Sequence, residues 1–189
     1  MAKTDFSKPL IAQAERVLRQ VYLPRIARCL AGLSPEQIWW RPNPACNSAG
    51  NMVLHLTGNV RQWIISGLGG APDVRERDKE FAERGPLPRR ILLGRLRKAV
   101  EEACGVLRRL SAGDLARVYR IQGYRVTGLE ATYHVAEHFS HHAGQIILIT
   151  GQWWVSTLPG LVIVIVGVGF SLIGDGIADR FGYDFRLTV

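Results

Sequence analysis

Cysteine is scarce in this chain: there are three in 189 residues, at positions 29, 46 and 104, with no CxxC pair among them. That excludes a disulfide scaffold and fits a reducing compartment. Lysine is also rare for so basic a protein, at four of the 24 basic residues, so the formal charge of +8 is carried almost wholly by arginine. The bases are spread from Lys3 to Arg186, and their densest region, Arg84 to Arg109, is broken by a regular apolar pattern and by Glu101 and Glu102. A dispersed basic surface without a readable motif gives non-specific attraction to polyanions and marks no specific nucleic-acid partner. Repeats and low-complexity tracts are absent, and a 47% hydrophobic composition excludes intrinsic disorder and a collagen-like chain. The amino-terminal stretch MAKTDFSKPLIAQAERVLRQ has no uninterrupted apolar run and no small-residue cleavage site, so no secretory signal is read and a cytoplasmic location is expected.

What is present is helical periodicity. Ser7 as a cap and Pro9 just inside open a first helix with Leu10, Ala14, Val17, Leu18, Val21 and Leu30 at compatible spacings, and Pro24 should kink it. A second follows Asn47 or Ser48 as cap and runs through Val53, Leu56, Val60, Trp63 and Ile64 to the glycine-rich stop at 67–72. In the third, residues 88–111, Leu93, Leu96, Val100, Ala103, Leu107 and Leu110 alternate steps of three and four. Thr127 and Glu130 form a capping box for the fourth, which carries Leu129, Thr132, Val135, Ala136, Phe139, Ala143, Ile146 and Ile147 on one face before Gly151 closes it. RVYRIQGYRVT, between the last two, reads as extended or turn-like. An all-α four-helix bundle over residues 1–152 follows, with one long connection at 67–87.

Residues 153–189 change character. From Leu158 to Ile173 there is no charge, and none occurs from Ala143 to Gly174. Three readings stay open for this tail: one membrane helix over about residues 158–174, a segment packed on the bundle, or a disordered or artefactual extension.

All five histidines fall in two helices, His55 in the second and His134, His138, His141 and His142 in the fourth. Spacing of four puts His138 and His142 one turn apart on one side of a helix. With Phe139 as the centre of the buried face and about 100° per residue, His142 and His138 lie about 60° and 100° off centre, and His134 and His141 about 140° and 160°. The same arithmetic puts His55 on the shoulder of its helix, about 100° from Leu56, on the side of Met52 and Asn59. Three imidazoles meeting across the bundle would leave a divalent ion at least one open position. The plain alternative is a hydrogen-bonded shoulder histidine facing a solvated polar edge.

NSAGNMVLHLTGNVRQWIISGLGG at 47–70, preceded by WWRPNPAC, and HVAEHFSHHAGQI at 134–146 resemble the DinB-like superfamily, in particular its branch of small uncharacterised bacterial proteins, over roughly residues 8–152. The resemblance implies a four-helix bundle in which one histidine of the second helix and an HxxxH pair ahead of a GQ dipeptide hold a divalent metal such as Zn or Ni; the matching positions are His55, His138 and His142. Related branches include bacillithiol transferases and mycothiol-dependent isomerases. They imply a low-molecular-weight thiol as co-substrate, an electrophile as its partner, a homodimer, and a metal-dependent thiol transferase or, as a neighbouring reading, a hydrolase. A different class of function is a non-catalytic, metal-stabilised interaction module anchored to a membrane through its tail. LPGLVIVIVGVGFSLIGDGIADR resembles the last transmembrane helix and cytoplasmic end of peptide-type ABC transporter permeases. The other spans and the coupling loop are absent, so no transport activity is implied, and a fusion or frameshift between Trp153 and Pro159 would explain the join. Insertion would leave the bundle on the cytoplasmic side of the inner membrane.

Cys46, just before the second helix, has no sequence-adjacent base and reads as an incidental thiol, with Cys29 and Cys104 as small helix residues. Trp39, Trp40 and Trp63 suit either core or pocket walls. Asn59 and Gln145, within about one turn of the presumed ligands, suit either orienting an imidazole or a metal-bound water, or an ordinary surface role. Tyr133 and Glu137 adjoin them on the fourth helix, where a solvated glutamate is the default.

Overall fold

The helix starts follow from short polar side chains that satisfy orphan backbone groups. In the computed structural model, which describes residues 5–41, 43–151 and 154–181, Ser48 Oγ accepts from the Asn51 amide at 3.1 Å while Asn51 Oδ1 accepts from the Ser48 amide at 3.2 Å. Thr127 and Glu130 form the same reciprocal pair, at 3.1 and 2.6 Å. Ser7 does not cap. It is the first helical residue, and Asp5 Oδ1 takes its amide at 2.9 Å.

The first long helix, α1, joins Ser7–Glu15, a π-helical stretch Arg16–Tyr22 and Leu23–Ala31 without a break. Pro24 therefore does not end it: the widened turns just before it take up the ring and the missing N–H that would obstruct an ordinary α turn. A short α2, Pro35–Trp39, leads to α3, which is Ala49–Val60 continued by the π-helical Arg61–Leu68. The expected long connection holds a helix of its own, α4, Arg77–Ala82. Then come α5, Arg89–Leu107, four residues shorter at its end than the pattern suggests, and a short α6, Ala112–Ala116. The stretch read as extended or turn-like is an antiparallel hairpin, β1 Val118–Ile121 with β2 Tyr124–Thr127, in register Ile121 to Tyr124. Its two turn residues, Gln122 and Gly123, both have positive φ, 51° and 84°, the turn whose twist suits a two-residue hairpin. The last bundle helix is α7, Gly128–Ile149.

α1, α3, α5 and α7 close around one core. Leu18, Ile26 and Leu30 from α1 meet Val53, Leu56 and Ile64 from α3, Leu92, Leu96 and Leu107 from α5, and Val135, Phe139 and Ile146 from α7, all almost wholly buried. The Tyr22 hydroxyl donates to Ser140 Oγ at 2.8 Å and ties α1 to α7. One assigned core position is displaced: Leu129 is exposed and Ala131 is buried in its place. The first turn of α7 packs through the bare backbone of Gly128, where an added Cβ would strike Asp114 and Leu115.

The described residues form two units, one ending at Gly151 and one beyond it. The second is a single helix, α8, Trp154–Phe181. Its apolar stretch Leu158–Ala178 is 21 residues long. At about 1.5 Å per residue that spans about 32 Å, close to the roughly 30 Å of a bilayer's hydrocarbon core.

Candidate metal centre

Helix α3 carries His55 on its inner shoulder and α7 carries His138 and His142 one turn apart, so packing α3 against α7 brings the three rings together. One nitrogen from each lies within 4.8 Å of the others. His55 Nε2 is 2.9 Å from His138 Nε2, and the His138 and His142 rings stand edge to face with centroids 4.5 Å apart. His55 is buried; the other two are half-buried. Burial and the neighbouring imidazoles of His142 and His55 push His138 down to about 3. Burial likewise takes His142 down to about 4, against the opposing pull of Gln145. Both are therefore neutral at physiological pH, each with a lone pair to offer.

Hydrogen bonds at the far nitrogens decide where those lone pairs point. His142 Nδ1 lies 2.7 Å from Gln145 Oε1, and an amide oxygen only accepts, so Nδ1 carries the proton and Nε2 is free. His55 Nδ1 lies 3.0 Å from Glu80 Oε2. Glu80 is a residue of the unpatterned stretch before α5 and is missed by periodicity; so is Arg75, whose Nε and Nη2 donate to the two carboxylate oxygens at 2.7 and 2.8 Å. This ion pair is nearly enclosed, with Arg75 at 4% and Glu80 at 11% side-chain exposure. Burial raises the Glu80 carboxyl, and the hydrogen bonds from Arg75 and His55 more than offset it, so the net displacement is downward. One signal for the pair was visible in the sequence: Gly58, in the middle of a helix where glycine is unfavourable. A Cβ there would overlap the Glu80 carboxylate and come within 2.8 Å of Arg75 Nε.

The remaining candidates separate. His134 does not join the cluster but does not face solvent either: it is half-buried, tilted against Trp63 with centroids 4.0 Å apart, and 3.5 Å from Asn59 Nδ2. His141, Tyr133 and Glu137 are exposed. A cavity of about 470 Å³ opens beside His55 and His138, walled by Trp63, His134, Asn59 and, from the hairpin, Gln122 and Tyr124. Gln122 Oε1 accepts from Trp63 Nε1 at 3.2 Å and fixes that wall. Trp39 is half-buried with its Nε1 on Leu87 O, and Trp40 is exposed. None of the cysteines lines this cavity, and burial with Glu15 and Glu101 nearby pushes the Cys104 thiol up to about 11.

The donor set fits a divalent ion. Three neutral imidazoles suit zinc, nickel and their neighbours and are a poor match for calcium or magnesium, which take oxygen ligands. The buried Asn59 Oδ1 has no protein partner among the described residues, so one polar atom beside the cluster is still unsatisfied.

The architecture and the donor set define a helical bundle with a three-histidine cluster between two of its helices. The chain belongs to the DinB superfamily, whose sequence model matches residues 18–146. In fold it is similar to a DinB-like protein from Bacillus cereus ATCC 10987, at a TM-score of 0.55 and 19% identity over 70% of this chain and 87% of that one. No curated protein matches the chain. The family match stops before the tail, and none of these comparisons supports a likeness of the tail to ABC permeases.

Proposed function

We propose that the protein binds one divalent ion through His55, His138 and His142 and uses it to transfer a low-molecular-weight thiol to an electrophile. The observation that carries this reading is the meeting of three imidazole nitrogens from two helices, with His55 and His138 83 residues apart in sequence, beside a cavity large enough for a small organic molecule. Three protein donors leave a four-coordinate ion at least one position for another ligand. When bound, the ion supplies Lewis acidity that lowers the pKa of a coordinated thiol. The chain's own residues do the rest. Gln145 holds His142 with its Nε2 lone pair inward, and burial keeps His138 and His142 unprotonated. Trp63, His134 and Tyr124 give the cavity an aromatic wall for an apolar electrophile to pack on, beside the charged Arg75, Arg77 and Glu130. For α8, the length and full apolar circumference support a single bilayer span holding the protein at a membrane.

The test is a Co(II) or Ni(II) form of the full chain titrated with small thiols and assayed on a panel of electrophiles. Thiol-dependent change in the visible spectrum together with turnover is the expected result. A metal that binds stoichiometrically while neither responds to thiol nor turns over any electrophile would mean that it only ties α3 to α7.

A further inference from the structure

We propose that Glu80 is the positioning residue of the histidine cluster: its carboxylate, clamped by Arg75 in the space left by Gly58, holds His55 in the tautomer that turns the Nε2 lone pair toward His138 and His142. This rests on the reading that these three histidines hold a metal.

The argument starts from what His55 Nδ1 can bond. Two groups lie at 3.0 Å from it, Glu80 Oε2 and Arg75 Nη2. A carboxylate only accepts and a guanidinium only donates, so the two favour opposite tautomers. If Nδ1 keeps its proton for Glu80, Nε2 is a free donor atom. If Nδ1 accepts from Arg75, the proton sits on Nε2 and points at His138 Nε2, 2.9 Å away, where a hydrogen bond is ready to keep it. The second state blocks the cluster. Arg75 favours it, so His55 needs a strong opposing acceptor at Nδ1 to stay competent.

Glu80 is built to be that acceptor. Arg75 engages both its oxygens at 2.7 and 2.8 Å, which fixes the carboxylate plane and satisfies the guanidinium elsewhere than on the imidazole. Both side chains are nearly enclosed, so the charge is not screened by water. Gly58 faces this carboxylate from α3, and the three atoms nearest to a Cβ built there all belong to Glu80 and Arg75. A surface ion pair would need neither the enclosure nor the glycine. Carboxylate partners of ligating histidines raise ligand basicity as well as fixing the ring, and losing one costs about 10- to 100-fold in metal affinity.

The experiment is a double-mutant cycle on Zn(II) affinity, measured on the full chain by competition with a chromophoric chelator. Glu80→Ala should weaken Zn(II) binding by about 10- to 100-fold when His55 is present and by no more than about threefold in a His55→Ala background. Glu80→Gln, which keeps the shape and loses the charge, should fall between wild type and Glu80→Ala, and it serves alone if the alanine variant fails to fold. In long-range ¹⁵N spectra of the metal-free protein, the His55 proton should move from Nδ1 to Nε2 in both variants. Equal losses with and without His55, or wild-type affinity in Glu80→Gln with an unmoved proton, overturns the assignment while leaving the metal site standing. Failure of wild type to bind Zn(II) overturns both readings together.

Discussion

Replacing Gly58 by alanine should destabilise the protein even though alanine is the better helix former. In an open helix position the exchange is worth about 1 kcal/mol in alanine's favour. At Gly58 the new methyl has no room: it overlaps the Glu80 carboxylate and lies 2.8 Å from Arg75 Nε. Glu80 has to shift to admit it, and a shift that parts it from Arg75 strands a guanidinium at 4% exposure and removes the acceptor from His55. Breaking a buried ion pair costs about 3–5 kcal/mol, so after the helix gain about 2–4 kcal/mol of destabilisation remains. At about 2–4 °C per kcal/mol for a domain of this size, the melting temperature should fall by about 5–15 °C. Gly94 on α5 is the control, since a Cβ there meets nothing within 4 Å and the residue is exposed. Gly94→Ala should raise the melting temperature by about 2–4 °C. Thermal denaturation in chelator, read by circular dichroism at 222 nm, compares the two against wild type. A Gly58→Ala protein as stable as Gly94→Ala would refute the reasoning, because it would mean that the ion pair moves aside at no cost.

Metal analysis of single alanine variants should show loss of stoichiometric Zn(II) for His55, His138 and His142 and full occupancy for His134 and His141; loss in His141→Ala alone would contradict the donor set. Saturating metal at about 100 times its Kd should stabilise the fold by about 2.7 kcal/mol over the chelated protein, seen as a higher melting temperature, and no shift would mean that the site is not preformed. Because His138 and His142 sit at about 3 and 4 in the folded protein and near 6.5 when unfolded, the unfolded chain takes up protons first as pH falls. Stability of the metal-free protein should therefore be full above about pH 6.5 and decline from there toward pH 4; the His138→Ala/His142→Ala double variant should decline less, and an identical pH profile would speak against the burial argument. Residues 1–152 expressed alone should stay soluble, while the full chain should partition with membranes, because α8 exposes apolar side chains around its whole circumference. A full-length protein that is monodisperse without detergent would show that α8 does not enter a bilayer.

What could be read in advance depended on range. The cap at Thr127 and its partner Glu130 are three residues apart, so the hydrogen bonds they make are a local matter and were legible as such. The regular apolar steps of α5 and the burial of Phe139 follow from a period that repeats along one helix. His138 and His142 are likewise one turn apart, and the shoulder position of His55 is a property of its own helix. Where the reading failed, the deciding neighbour lay elsewhere in the chain. Leu129 has the right phase for the core, but Gly128 seats the first turn of α7 against Asp114 and Leu115 and turns Leu129 out. Pro24 leads to the expectation of a kink by its own chemistry, but the π-helical turns just ahead of it carry no mark in composition. The extended or turn-like reading of the hairpin holds, and only its exact turn was unmarked, because Gln122 takes the positive φ where asparagine or glycine would have signalled it.

The same distinction separates the two halves of the site. The donors stand on α3 and α7, whose packing is set by core residues, so their meeting is a consequence of the bundle itself. The groups that decide how those donors are used come from the two connections without helical period. The stretch from Arg75 to Glu80 supplies the acceptor on His55, and the hairpin supplies Gln122 and Tyr124 to the cavity wall. The hairpin also sends Ile121 into the core, whereas Arg77–Ala82 buries no residue there; Gly58, on the core helix, leaves the space that Glu80 and Arg75 occupy. A bundle that kept the three histidines but carried alanine in place of this glycine would have to hold its first histidine by other means. In this chain the glycine is therefore as much a part of the candidate site as the three histidines.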